Sequence, residues 1–144
     1  MSSQSDNVWR RATSFPSVSG AGEPFVDAVL TELEDRAWSP KDLFAVRLAL
    51  EEAIANAVEH GNRRNPEKKV DVSAEIALDR VLLSVRDEGA GFDDSTLANP
   101  LLAENLEIPT GRGLLLIRSF MTNVWRGSNG AEIFMEKTPT VDEV

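Results

Sequence analysis

The stretch LEEAIANAVEHGN, Leu50 to Asn62, decides how the rest of the chain is read. It continues an amphipathic helix that starts at Ser39-Pro40, with Ser39 as N-cap and Pro40 in the first helical position, and that Gly61-Asn62 end. At about 100° per residue, Leu43, Val46, Leu50, Ile54 and Ala57 fall on one stripe, the expected core face. Glu52 and Asn56, spaced i,i+4, share roughly the opposite side, with Ala45, Ala49 and Ala53 near them. Small residues beside a carboxylate and an amide leave room for a molecule to lie along the helix. A carboxylate takes a proton from a hydroxyl or a water, and an amide oxygen is a hard ligand suited to magnesium. The competing reading of the same two residues is a solvated helix face.

Two later motifs shift that balance. VRDEGAGFDD sets Asp87, Gly89 and Gly91 in a D-x-G-x-G arrangement at a strand end. TGRGLLLI has Gly111 and Gly113, with Arg112 between them, opening an apolar helix. A helix N-terminus offers backbone N–H groups and the positive dipole end to an anion, and an arginine there adds a charge-assisted contact. Taken singly, these are also an ordinary Asp-Gly turn and a loop-to-helix junction with a solvated arginine. In the order E-x-x-x-N, D-x-G-x-G, G-x-G, the set resembles the ATP-binding core shared by gyrase, the heat-shock chaperone ATPases, histidine kinases and the MutL repair proteins. The compact form looks most like the anti-sigma factor serine/threonine kinases. The resemblance covers roughly residues 8–137.

That resemblance implies a set of roles. ATP and magnesium are the expected ligands, with Asn56 on the metal and Glu52 as general base for an acceptor hydroxyl. Asp87 accepts a hydrogen bond from the adenine amino group, while Gly89, Gly91, Gly111, Arg112 and Gly113 shape the base and phosphate pocket. The loop at 92–110 becomes the lid over the nucleotide. The implied partners are an anti-anti-sigma (STAS-type) protein as phosphate acceptor and a sigma factor, with the chain as a homodimer. Arg112 departs from the pattern, because these kinases carry their lid arginine a few residues earlier. The loop itself is acidic, with Asp93, Asp94, Glu104 and Glu107. Both departures favour a second reading, a nucleotide-dependent switch module that binds partners without transferring phosphate. A histidine kinase catalytic domain is a third reading, disfavoured by the lack of a helical domain with a phospho-acceptor histidine.

Composition sets the outer bounds. The 144 residues suit one domain over 1–144, and 42% hydrophobic content suffices for a core. A net charge of −9 argues against nucleic acid and against an anionic membrane surface. With no cysteine there are no disulfides or thiolate metal sites, and without a long apolar run or signal-peptide pattern the chain reads as cytoplasmic. His60, the single histidine, reads as a helix-end cation or packing residue, and Arg63, Arg64, Lys68 and Lys69 as a solvated turn or a docking patch. Trp9, Trp38 and Trp125 are too scattered for a stacking platform.

Periodicity predicts strands at 8–15, 69–78, 80–87, 123–127 and 131–137, and helices at 22–37, 39–60 and 112–122. The sum is an α+β fold, a two-layer α/β sandwich. It has a mixed, mostly antiparallel sheet with helices on one face, the Bergerat-type ATP-binding fold of the family it resembles.

Overall fold

The computed structural model describes residues 8–89, 117–127 and 131–140. Gly91, Gly111, Arg112 and Gly113, the loop at 92–110 and the first half of the helix expected at 112–122 lie outside the described residues. The elements are β1 (Trp9–Pro16), α1 (Glu23–Asp35), α2 (Pro40–Asn56), a π-turn (Ala57–Gly61), β2 (Lys69–Ile76), β3 (Val81–Arg86), β4 (Asn123–Arg126) and β5 (Glu132–Lys137). A helical turn at 117–120 precedes β4. The strands form one sheet in the order β1-β2-β3-β5-β4, every pairing antiparallel.

Strand alternation decides which face is covered. Val70, Val72, Ala74 and Ile76 of β2 are buried, as are Val81, Leu83 and Val85 of β3 and Ile133 and Met135 of β5. They form one core with Phe25, Val26, Val29, Leu30 and Leu33 of α1. Between them, on the other sheet face, stand Asp71, Ser73 and Glu75 opposite Arg86, Ser84 and Leu82. A register slip of one residue would exchange the two sets, so the pairing is fixed by burial. Trp38 is buried, Trp9 packs at the core margin under the Arg11 guanidinium, and Trp125 stacks on Phe134 with ring centroids 5.5 Å apart. Among the described residues no helix is long and apolar enough to cross a membrane.

The buried stripe of α2 differs from the one read from hydropathy. Ala45, Ala49 and Ala53 are in the core beside Val46, Leu50 and Ile54, and Leu43 is only half-buried. The alanines therefore do not border an open groove. The helix packs against both α1 and the sheet, so its buried surface is wider than one seam, and small residues let the backbone come close.

The start of α2 is tied to β5 and the segment that follows it. Ser39 Oγ accepts from Asp42 N at 3.2 Å, as its N-cap role predicts. The buried Asp42 carboxylate accepts from Thr140 N at 2.8 Å and Thr140 Oγ1 at 2.6 Å, with Lys137 Nζ 3.6 Å away. Burial alone pushes this carboxyl up, but the Thr140 hydrogen bonds, the Lys137 ammonium and the Ser39 contact outweigh it and hold it below its ordinary value. Its ionised form thus stabilises the fold above the unfolded-state value of about 3.9, and the contribution is lost as pH falls through the lower folded value. Asp42→Ala is expected to cost on the order of 1–3 kcal/mol in urea unfolding at pH 7. The gap to the parent should narrow at pH 3 and below; a gap constant to pH 2 would contradict the assignment.

Candidate functional site

The site starts where α2 stops being an α-helix. Its last turn, Ala57–Gly61, is π-helical, with Asn62 N donating to Ala57 O at 2.8 Å and Arg64 N to Val58 O at 2.7 Å. A π-turn adds one residue to the turn and rotates the chain beyond it, and such turns recur at functional sites. Arg63 and Arg64 then take φ of 53° and 59°, the left-handed region, which turns the chain back toward β2. The basic run is therefore a strained turn, with Arg64 Nη2 3.4 Å from Glu59 Oε1.

This turn brings Gly61 beneath Asp87, the residue that follows β3. A methyl group at position 61 would overlap Asp87 Oδ2 and Cγ outright and stand 2.8 Å from its Cβ. One at position 89 would overlap the Gly61 carbonyl oxygen and lie 2.9 Å from Asp87 Oδ1. Gly61, Asp87 and Gly89 thus form one close contact that only side-chain-free positions permit. The Asp87 carboxylate is buried and accepts from Gly89 N at 2.7 Å, and its own N–H donates to Ala131 O at 3.0 Å. Burial raises its pKa above the ordinary value, only partly offset by the Gly89 hydrogen bond and the charges of Arg126 and Lys68. A carboxylate has about four acceptor positions, so Asp87 keeps acceptor capacity for an amine donor.

Asn62 fixes the geometry. Its side chain is buried and fully used: Nδ2 donates to Ser17 Oγ at 2.7 Å and to Lys69 O at 2.9 Å, while Oδ1 accepts from Glu88 N at 2.7 Å. Ser17 Oγ donates in turn to Lys68 O at 2.7 Å, and Lys69 N donates to the Glu88 carboxylate. One amide therefore joins the end of β1, the start of β2, the end of β3 and the end of the helix. Gly61 and Asn62, read from sequence only as a helix stop, belong to the site. Their signal is their adjacency to E-x-x-x-N, but two of the three partners of Asn62, Glu88 and Ser17, lie 26 and 45 residues away in the chain.

Glu52 and Asn56 stand one turn apart on α2, both half-buried. Glu52 lies about 6 Å further along the helix axis from Gly61 than Asn56 does, at about 1.5 Å rise per residue. Asn56 is therefore nearer along the axis to the Asp87 contact than Glu52 is. His60 Nε2 is buried in the π-turn and has no hydrogen-bond partner among the described residues. Among the described residues no three acidic or histidine side chains are grouped to hold a metal ion. An amide oxygen such as that of Asn56 is a hard donor of the kind magnesium takes beside phosphate oxygens.

A family model for the histidine kinase-like ATPase domain matches residues 23–137. The chain belongs to that family. The anti-sigma F factor of Oceanobacillus iheyensis is 30% identical over 101 residues, covering 67% of this chain and 69% of that protein. The serine/threonine-protein kinase BtrW of Bordetella bronchiseptica is 33% identical over 91 residues, covering 62% of this chain and 63% of that protein. A solved structure of the RsbU and RsbW domains of Rv1364c from Mycobacterium tuberculosis superposes over 91% of this chain and 32% of that one. Its TM-score is 0.59 at 16% identity, a likeness of fold. The chain is an anti-sigma kinase-like ATPase by these matches, and the ATPase domain implies nucleotide binding.

Two substitutions test the contact. Gly61→Ala is expected to push Asp87 aside, lowering stability by about 1–3 kcal/mol and ATP affinity at least as much. Calorimetric titration with ATP reads the second effect, and parental affinity would contradict the contact. Asp87→Asn removes a charge whose burial opposes folding at neutral pH. Because the folded pKa is raised, that penalty is present above the folded value and relieved as pH falls toward the unfolded one. The variant should lose about 1–3 kcal/mol of ATP affinity while its melting temperature at pH 7 stays at or above the parent's. A lowered melting temperature would mean that Asp87 serves the fold.

Proposed function

We propose that this chain is an ATP-dependent serine/threonine protein kinase of the anti-sigma type. It phosphorylates an anti-anti-sigma protein of the STAS type, sequesters a sigma factor and works as a homodimer. The observation that supports it most is the Gly61–Asp87–Gly89 contact at the end of the helix that carries Glu52 and Asn56. Asp87 accepts from the exocyclic amine of adenine, where guanine presents a carbonyl that a carboxylate repels. Asn56 offers its amide oxygen to magnesium, which when bound neutralises charge on the phosphates. Glu52 accepts the proton of the acceptor hydroxyl as its oxygen attacks the γ-phosphorus, and ADP leaves with the β–γ bridging oxygen. Gly91, Gly111, Arg112 and Gly113 complete the phosphate end in this proposal.

A second reading, a partner switch that binds ATP or ADP without transferring phosphate, is favoured by Arg112 standing between its two glycines. Incubation of the chain with γ-labelled ATP and an anti-anti-sigma protein separates the two. Glu52→Gln is expected to slow transfer by about 10²–10⁴ while ATP affinity stays near the parent's. Full transfer by the variant would remove Glu52 from the base role. No transfer by the parent to any such acceptor would leave the switch reading in place.

A further inference from the structure

A cavity lies on a flank of α2 away from Glu52 and Asn56. It is about 700 Å³, open to the surface, and walled by the connection from β1 to α1 on one side and by α2 and its π-turn on the other. The residues α2 turns toward it, Glu51, Ile54, Ala55 and Val58, are centred roughly 130° around the helix from Glu52 and Asn56, at about 100° per residue. It is therefore not part of the nucleotide site. Its size is that of ligand pockets in general.

Its lining has a definite chemistry. Val26, Ile54, Val58 and Pro66 give an apolar floor, and Val18 at the edge is 46% exposed. Glu23 and Glu51 stand side by side at one end, close enough to hydrogen-bond. Asp27 adds a third carboxylate beside them, and among the described residues the one guanidinium facing this group is Arg47, 3.3 Å from Glu51 and 3.9 Å from Asp27. At the other end Glu59 is paired with Arg64. Phosphates are repelled from such a rim. No three acids are grouped to hold a metal ion among the described residues.

We infer that this cavity binds an arginine side chain presented by an apolar segment of a protein partner. The planar guanidinium spans two adjacent carboxylates with parallel N–H···O bonds, which an ammonium does not match. Its methylene stem lies on the apolar floor while neighbouring apolar side chains cover Val18. Three carboxylates share the one guanidinium of Arg47, so this end carries a surplus of negative charge that a cation relieves, and burial, then the Glu51 and Asp27 carboxylates, raise the Glu23 pKa. The inference does not depend on phosphotransfer.

The test is a titration followed by amide chemical shifts of the labelled protein. N-acetyl-argininamide should perturb Gly20, Gly22, Glu23 and Ala55, and its neutral isostere N-acetyl-citrullinamide should bind about tenfold or more weakly. The double variant Glu23→Gln/Glu51→Gln alters solvent-facing groups, and its retained spectrum shows that it folds. It should lose the preference for arginine over citrulline. Equal binding of the two probes, or a variant that keeps the preference, would overturn the inference. Acetyl-Leu-Arg-Leu-amide should bind more tightly than N-acetyl-argininamide. A peptide no tighter than the free probe would overturn the protein-segment source, and selective binding of N-acetyl-glutamate at Arg64 would overturn the charge assignment.

Discussion

Asp87 reaches its place only because residue 61 has no side chain. The helix end, the strand end and the turn after it meet at a distance that a single methyl group would abolish. Everything assigned to the site depends on that approach. It sets the carboxylate over the end of α2, and the same helix carries Glu52 and Asn56 on a half-buried face. The π-turn supplies the residue that lets Gly61 lie beneath Asp87.

Stability and function divide between neighbouring residues here. Asn62 satisfies every polar atom of its side chain and joins four segments of backbone, so it supports the fold. Asp87 is buried with a raised pKa, and its charge opposes folding at neutral pH. Asp42 shows the opposite case: also buried, it is held ionised by Thr140 and Lys137 and serves to anchor the segment after β5 to α2. A buried carboxylate that costs stability is the more informative one about binding. That contrast ranks Asp87 above Asp42 as the residue for a ligand.

Local signals made most of the fold legible. The alternation in β2 and β3, the Ser39-Pro40 helix start and the apolar spacing in α1 each depend on residues close in sequence, and each element stands within a few residues of its expected span. The alanines of α2 are misplaced by hydropathy, which gives small residues little weight, while packing against two neighbours favours them. The π-turn has no compositional mark, since it differs from an α-turn by one step of hydrogen-bond register. Glu52, Asn56, Asp87 and Gly89 were legible as motif residues. Gly61 and Asn62 were not, because Gly-Asn after a helix is also what an ordinary helix end looks like. Their roles come from Asp87, Glu88 and Ser17, which are remote in sequence.

The central claim is that the carboxylate over Gly61 reads adenine. Its most direct test is side-by-side calorimetric titration of the parent chain with ATP and GTP in the same magnesium buffer. The account predicts saturable ATP binding and GTP binding weaker by at least about tenfold, since guanine would set a carbonyl against a buried carboxylate. Equal affinities for the two nucleotides would contradict it.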